Sequence, residues 1–183
     1  MRSDSIQMRP CAAPPSAMEA HNLEDKMMSP EEKIMLTQVL LANATDYWYE
    51  VDHNYGLGAS EYFLEDATFA SWKGKAAIHD FYVWRKSRGD RLARHLISNF
   101  RARFETPRLA HTNNVMLLYA ADGVAPLPST APIQIAEQED VVVLCDDGRW
   151  RFQSRKFTNL FTGDIPTTVP PQDWFEKHGQ VKP

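Results

Sequence analysis

The stretch Arg88-Gly89-Asp90-Arg91-Leu92-Ala93-Arg94-His95-Leu96-Ile97-Ser98-Asn99 marks a change in the periodicity of the sequence. Before Gly89, apolar side chains recur at steps of three and four, which is typical of a helix. After Arg91 the pattern alternates with a period of two, which predicts a strand with two different faces. One of those faces carries His95 and Asn99. The sequence therefore predicts helices before this stretch and strands after it.

Helical segments occupy the sequence upstream of the change. Ser29-Pro30-Glu31-Glu32 has the pattern of a capping box with proline at the first helical position, and an apolar stripe follows it as far as Val51. A second long helix is predicted over residues 75–88, where one face is traced by Ile78, Phe81, Tyr82 and Arg85. Between the two, residues 59–64 suggest a short helix and residues 67–72 a strand.

Three further strand-like runs follow, at about residues 109–120, 133–145 and 149–161. The last two are joined by the turn Asp146-Asp147-Gly148. Helices that precede a run of long antiparallel strands must bury their apolar faces on one side of the sheet. The predicted fold class is therefore α+β, with a cone-shaped, curved antiparallel sheet packed against about three N-terminal helices around a small cavity.

The length of 183 residues fits one domain with tails. Residues 1–28 mix Met, Ser, Pro and Ala without a period and are interpreted as a flexible arm. The domain is predicted over residues 29–163, followed by a Pro-rich tail over residues 164–183. Trp174 and Phe175 in that tail would be costly to leave in water, so we expect them to dock, on this domain or on a neighbour.

The composition excludes several classes of function. Lys and Arg number 20 against 24 Asp and Glu, a net charge of −4, so nucleic acid is not expected as a partner. No apolar run reaches the roughly 20 residues of a membrane helix, and no export signal is recognised, so no membrane partner is expected. Cys11 and Cys145 lie far apart, which predicts no disulfide framework and a cytoplasmic location.

The sequence predicts neither a metal nor a cofactor. His53 and His111 do not lie in a ligand-spaced motif, and the acidic residues near them lack ligand spacing. Gly56-Leu57-Gly58 lacks the third glycine and the preceding strand of a dinucleotide-binding motif, so it is interpreted as a turn.

Three segments together resemble the SnoaL-like branch of the nuclear transport factor 2-like superfamily. They are residues 74–82 (GKAAIHDFY), 88–99 (RGDRLARHLISN) and 147–152 (DGRWRF). The resemblance covers roughly residues 32–163 and implies a curved sheet and three helices around a conical pocket. The superfamily includes dehydratases, isomerases, cyclases, epoxide hydrolases and chains without catalysis, so the fold is implied more specifically than the reaction.

The resemblance also implies catalytic residues. Scytalone dehydratase and the bile acid dehydratases use a Tyr and an Asp from the first helix with a His from the sheet. By position these are His95, Asp52, and either Tyr47 or Tyr49. Ideal helix geometry places Tyr49 on nearly the same face as Asp52 and Tyr47 about 140° away. The spacing in the bile acid dehydratases favours Tyr47, which requires the helix to fray before Asp52.

The chemistry of this pair is that of a general base and its partner. The unperturbed pKa of a histidine is near 6.5, so a modest shift makes His95 a base at neutral pH. A carboxylate in hydrogen-bonding reach, such as that of Asp52, would set the tautomer of the ring. The alternative interpretations are a buried histidine bonded to a backbone carbonyl and an aspartate that caps a helix end.

Further side chains are candidates for substrate binding. A polar contact to a substrate oxygen is predicted for Asn99, and Arg155 is a candidate for an anionic or phenolic oxygen. The candidate aromatic walls of the site are Trp48, Phe63, Trp72, Tyr82 and Trp84. The alternative for each is an ordinary structural position. The basic cluster at Arg85, Lys86, Arg88, Arg91 and Arg94 is interpreted as a solvated helix end.

These predictions combine into a cofactor-independent lyase for a small hydroxylated aromatic or polycyclic substrate. The reaction is either dehydration or a retro-aldol release of formaldehyde from a lignin-derived diaryl compound. One alternative is a ketosteroid-isomerase-type isomerase. The other is the non-catalytic small subunit of a ring-hydroxylating dioxygenase, which residues 96–99 (LISN) and the DGRWRF hairpin also resemble. A homodimer or a higher homo-oligomer is expected.

Overall fold

The computed structural model describes residues 28–180, so the predicted arm lies almost entirely outside the described residues. The helices are α1 (Pro30–His53), a short 3-10 helix (Ala59–Tyr62), α2 (Lys75–Ser87) and α3 (Gln172–Lys177). The strands are β1 (Phe63–Phe69), β2 (Trp72–Lys73), β3 (Arg91–Thr106), β4 (Leu109–Asp122), β5 (Gln134–Leu144) and β6 (Trp150–Thr162).

The six strands form a single sheet in the order β2-β1-β6-β5-β4-β3. Neighbouring strands run antiparallel, except that β1 and β6 are parallel. Side chains from α1, α2 and the sheet share one hydrophobic core, in which Tyr47, Ile78 and Phe152 are almost fully buried. The predicted α+β class, with helices packed on a long antiparallel sheet, is confirmed.

The capping box at the start of α1 forms as predicted. The Glu32 amide donates to the Ser29 hydroxyl at 3.1 Å, and the Ser29 amide donates to the Glu32 carboxylate at 2.8 Å. These bonds satisfy amide groups that have no partner inside the helix. The helix then continues without interruption to His53, so its last turn carries Asp52 as a regular helical residue.

The segment between the two long helices differs from the prediction. The short helix is a single 3-10 turn that ends at Tyr62, and β1 begins at Phe63 instead of residue 67. Phe63 pairs with Phe152 of β6, and both side chains are buried in the core. The pairing partner lies about 90 residues away in the chain, so local propensity could not reveal it.

The C-terminal tail docks on its own chain. Phe175 is fully buried, with its ring centroid 5.9 Å from that of Trp72, and Trp174 lies 6.4 Å from Trp84. The side chain of Gln180 accepts a hydrogen bond of 2.8 Å from the Lys73 amide. The expectation that the aromatic pair docks is thus met within one chain.

Three further observations concern the predicted absences. No helix within residues 28–180 is long and apolar enough to cross a membrane. In the same part of the chain, no three His, Cys, Asp or Glu side chains are placed to hold a metal ion together. Cys145 is buried and disulfide-bonded, which the prediction of no disulfide framework did not anticipate, and Cys11 lies outside the described residues. The cytoplasmic location stays a prediction.

Candidate active site

A cavity of about 300 Å³ lies between the two long helices and the sheet. Its volume is at the lower end of the range for small-molecule sites. Residues of α1, α2 and all six strands line it, and residues 167–169 of the C-terminal tail border it. The aromatic lining residues are Trp48, Phe69, Trp72, Phe81, Tyr82 and Phe157. The cavity is therefore suited to a flat, apolar ligand.

His95 on β3 lines this cavity and is joined to Asp52 of α1 by two hydrogen bonds. One Asp52 carboxylate oxygen lies 2.6 Å from Nδ1 of the imidazole, and the other accepts from the His95 backbone amide at 2.7 Å. The two side chains are only 7% and 5% exposed. The carboxylate can only accept, so Nδ1 carries the proton and Nε2 keeps its lone pair. No group within residues 28–180 is hydrogen-bonded to Nε2.

The last turn of α1 holds the imidazole in a second way. Trp48 lies one helical turn before Asp52, and its ring stacks on His95 with centroids 3.9 Å apart and an interplanar angle of 11°. Residues four apart lie on the same helix face, so the indole and the carboxylate reach the same partner. The imidazole is fixed both in its plane and in its tautomer.

The pKa of His95 is lowered from its ordinary value. Burial is the main cause, because it disfavours the charged imidazolium, and the positive charges of Arg85 and Arg155 act in the same direction. The hydrogen bond and the negative charge of Asp52 oppose this effect but do not overcome it. His95 is therefore a neutral imidazole at neutral pH, which is the form that accepts a proton.

The structure places neither predicted helix-one tyrosine at the cavity. Tyr49 is 65% exposed and stacks on His53 at the surface. Tyr47 is fully buried behind Tyr82, and the hydroxyl groups of Tyr47 and Tyr82 are hydrogen-bonded to each other. Because α1 does not fray before Asp52, the side chain of Tyr47 stays turned into the core.

Tyr82 of α2 is the tyrosine that lines the cavity. Burial, with a smaller contribution from Tyr47, holds the pKa of Tyr82 well above its ordinary value. Its hydroxyl therefore keeps its proton, and it can donate that proton to a ligand when Tyr47 is the donor in the bond between the two hydroxyl groups. Tyr82 was predicted as a substrate-binding residue, and Trp48 and Trp72, predicted as aromatic walls with it, also line the cavity.

Three other predicted binding residues lie away from the cavity. Phe63 packs in the core against Phe69 and Phe152, and Trp84 lies between Phe81 and Trp174. Asn99 is exposed, with a φ of 55°, where the register of β3 against β4 shifts. Such a bulge ends the strict alternation of side chains, so Asn99 does not share the face of His95.

Arg155 is fully buried beside the cavity rather than in its lining. Its Nε and Nη2 atoms donate to the two carboxylate oxygens of Asp140 at 2.8 and 2.9 Å. The guanidinium carbon lies 3.9 Å from the ring centroid of Phe152 and 4.3 Å from that of Tyr47. Asp140 thus holds the guanidinium through Nε and Nη2, while Nη1 has no partner within the described residues. Arg155 does not line the cavity, where the predicted contact with a substrate oxygen would be made.

Two parts of the cavity were not predicted from the sequence. Arg85, assigned to a solvated helix end, lines the cavity. Its position on the apolar face of α2, three residues after Tyr82, was a signal that could have found it. Residues 167–169 gave no such signal, because they have no periodic pattern and their place depends on the docking of α3.

Solved structures share this fold. A protein provisionally named scytalone dehydratase, from Novosphingobium aromaticivorans, is 19% identical with a TM-score of 0.63, and the match covers 77% of this chain and 95% of that one. ActVI-ORFA from Streptomyces coelicolor is 19% identical with a TM-score of 0.56, covering 69% of this chain and 97% of that one. A cystatin-like protein of unknown function from Nostoc punctiforme is 15% identical with a TM-score of 0.53, covering 66% and 87%.

These similarities confirm the cystatin-like fold that the sequence resemblance implied. No protein-family model matches the sequence, and no curated protein matches it. At less than 25% identity, a shared fold does not determine the reaction, because related folds carry different chemistry.

Proposed function

We propose that this protein is a cofactor-independent lyase that removes water from a hydroxylated aromatic or polycyclic compound. The observation that carries the proposal is the neutral imidazole of His95 in an aromatic cavity, with Nδ1 bound to Asp52 at 2.6 Å and Nε2 unbonded within the described residues. A shared fold with a protein provisionally named scytalone dehydratase supports the same class of reaction.

In this scheme the substrate ring lies among the aromatic side chains of the cavity. Nε2 of His95 takes a proton from the carbon next to the one that bears the hydroxyl group. The electron pair of the broken C–H bond forms a carbon–carbon double bond, and the C–O bond breaks. Tyr82 donates a hydrogen bond to the departing hydroxyl oxygen. The imidazolium of His95 then transfers its Nε2 proton to the same oxygen. One water molecule is released and the protein is unchanged.

Asp52 is the positioning residue for this base. Its carboxylate holds the Nδ1 proton and stabilises the imidazolium that forms during the reaction. The same base could instead take the proton of the terminal hydroxyl group of a 1,3-diol. The electron pair of that O–H bond forms the C=O bond of formaldehyde and the carbon–carbon bond next to it breaks. The electron pair of the broken bond forms a carbon–carbon double bond as the second hydroxyl group leaves, and the imidazolium returns its proton to that group to give water. Only the second reaction releases formaldehyde, so detection of formaldehyde distinguishes the two reactions.

The test uses scytalone and a 1,2-diarylpropane-1,3-diol as probes, with loss of water followed by absorbance and formaldehyde by chemical trapping. We expect the His95→Ala variant to lower kcat/KM by about 10²–10⁴-fold, the usual contribution of a general base. His111→Ala is the matched control, since His111 lies on the same sheet and pairs with Glu105 outside the cavity. Circular dichroism and the melting temperature show whether each variant is folded.

Two outcomes would overturn the proposal. One is a folded His95→Ala variant that turns over a probe at the wild-type rate. The other is wild-type protein that binds the probes without converting either of them, which would favour the alternative of a non-catalytic subunit.

A further inference from the structure

The cavity has an uncompensated positive charge. Its lining includes Arg85 and Arg91, and no Asp or Glu of residues 28–180 belongs to that lining. Arg91 is already engaged, because Nη1 lies 2.7 Å from a carboxylate oxygen of Asp122 and Nη2 donates to the Pro166 carbonyl. The charge that remains is that of Arg85.

The guanidinium of Arg85 has no hydrogen-bond or ion-pair partner within the described residues. Its nearest charge-related contact is the ring of Tyr82, whose centroid lies 6.0 Å from the guanidinium carbon. At that distance a cation–π interaction is at the limit of significance. Arg85 lines the cavity and is half-buried, so its five unused N–H donors are available to a ligand bound there.

The charge of Arg85 acts on the same space as the base. It contributes to the lowered pKa of His95 and opposes the raised pKa of Tyr82. Interactions of this kind are strong only over short distances in a partly buried site. A ligand that contacts His95 and Tyr82 thus lies within the field of Arg85.

We propose that Arg85 binds a carboxylate group of the substrate, so that the molecule in the cavity is an aromatic carboxylic acid. This inference rests on the proposed function, which concerns the hydroxylated aromatic part of the substrate. It adds that the substrate also carries a carboxylate. The planar fork of a guanidinium matches a carboxylate with two parallel hydrogen bonds, and charge-assisted bonds of this type are stronger than neutral ones. The aromatic lining binds the ring, and Arg85 sets its orientation toward His95.

The test compares two probes of the same shape, 2-naphthoate and 2-naphthamide, by isothermal titration calorimetry on the full chain. We expect wild-type protein to bind the acid at least about tenfold more tightly than the amide. Arg85→Gln should remove this preference, and Arg85→Lys, which keeps the charge without the fork, should retain part of it. Arg88→Gln is the matched control, because it removes the same charge from the exposed end of α2.

Equal affinity of the wild type for the two probes would overturn the inference, as would a preference that survives in a folded Arg85→Gln variant. Failure of 2-naphthoate to bind up to its solubility limit would overturn it too. The proposed function is judged separately, because binding needs no turnover. His95→Ala should keep the preference for the acid, whereas a loss of turnover in that variant concerns only the reaction.

Discussion

Asp52 binds His95 at two atoms, one in the imidazole ring and one in the backbone. One oxygen holds the ring at Nδ1 and the other holds the amide of the same residue. A carboxylate that holds both atoms leaves the ring little freedom to turn. Burial, with the charges of Arg85 and Arg155, lowers the pKa of His95, and Asp52 raises it, with a net decrease.

Because Asp52 raises the pKa of His95, the direction in which this pKa moves in Asp52→Asn can be predicted. Neutral His95 is the active base, so kcat/KM should fall as pH drops through a pKa below 6.5. Without the carboxylate the pKa of His95 decreases further, so the acid limb of the pH–rate profile should move to lower pH. Loss of the correct tautomer should also reduce the plateau by about 10²-fold.

The pH–rate profile of each variant, together with the NMR titration of the His95 ring, measures this shift. Asp46→Asn is the control, because Asp46 is exposed on the same helix. An acid limb that stays in place or moves to higher pH in Asp52→Asn would contradict the assigned role.

At the level of elements, the docking of α3 decides how the cavity is closed. Phe175 and Trp174 pack on aromatic residues of β2 and α2, and residues 167–169 then border the cavity. The Pro166 carbonyl accepts from Arg91 of β3, which adds a second attachment. The tail is therefore part of the candidate site.

Phe175→Ala tests this attachment. Removal of a fully buried phenylalanine side chain should lower the free energy of unfolding by about 3 kcal/mol. Hydrogen exchange in residues 166–180 should accelerate, and binding of 2-naphthoate should weaken because the wall at residues 167–169 loosens. Lys177→Ala, on the exposed side of α3, should change neither quantity. Unchanged exchange in Phe175→Ala would show that the tail is held by other contacts.

For the molecule as a whole, the stability of the core depends on a buried ion pair. Arg155 and Asp140 are both fully buried, and Gln138 and Thr112 also donate to the Asp140 carboxylate. Within the described residues, Nη1 of Arg155 has no partner. Burial of two charges is costly, so the fold depends on keeping both partners together.

Asp140→Asn should therefore lower the free energy of unfolding by about 3–5 kcal/mol, because it leaves the guanidinium buried and unpaired. Asp147→Asn is the matched comparison, since it breaks the exposed pair with Arg151, where the shortest contact is 2.6 Å. A surface pair of this kind contributes less than about 1 kcal/mol. Urea denaturation measures both values, and equal losses would contradict the role given to the buried pair.

Local patterns were sufficient for most of the fold. The capping box, the helix over residues 75–87 and the period-two strands depend on neighbours within a few positions, so they could be predicted from the sequence. The start of β1 at Phe63 could not, because that end of the strand forms by pairing with β6. Asn99 was misplaced because a bulge in β3 changes which face its side chain takes.

For the candidate site, the sequence by itself provided His95 as a base of suitable pKa and an aromatic set from which to build a wall. Only the tertiary structure brought the Asp52 carboxylate against that imidazole and turned Tyr49 to solvent. It also placed Arg85, rather than Arg155, in the lining of the cavity. The physical reason is that periodicity reports which face of an element is buried, whereas contacts between side chains depend on how separate elements pack.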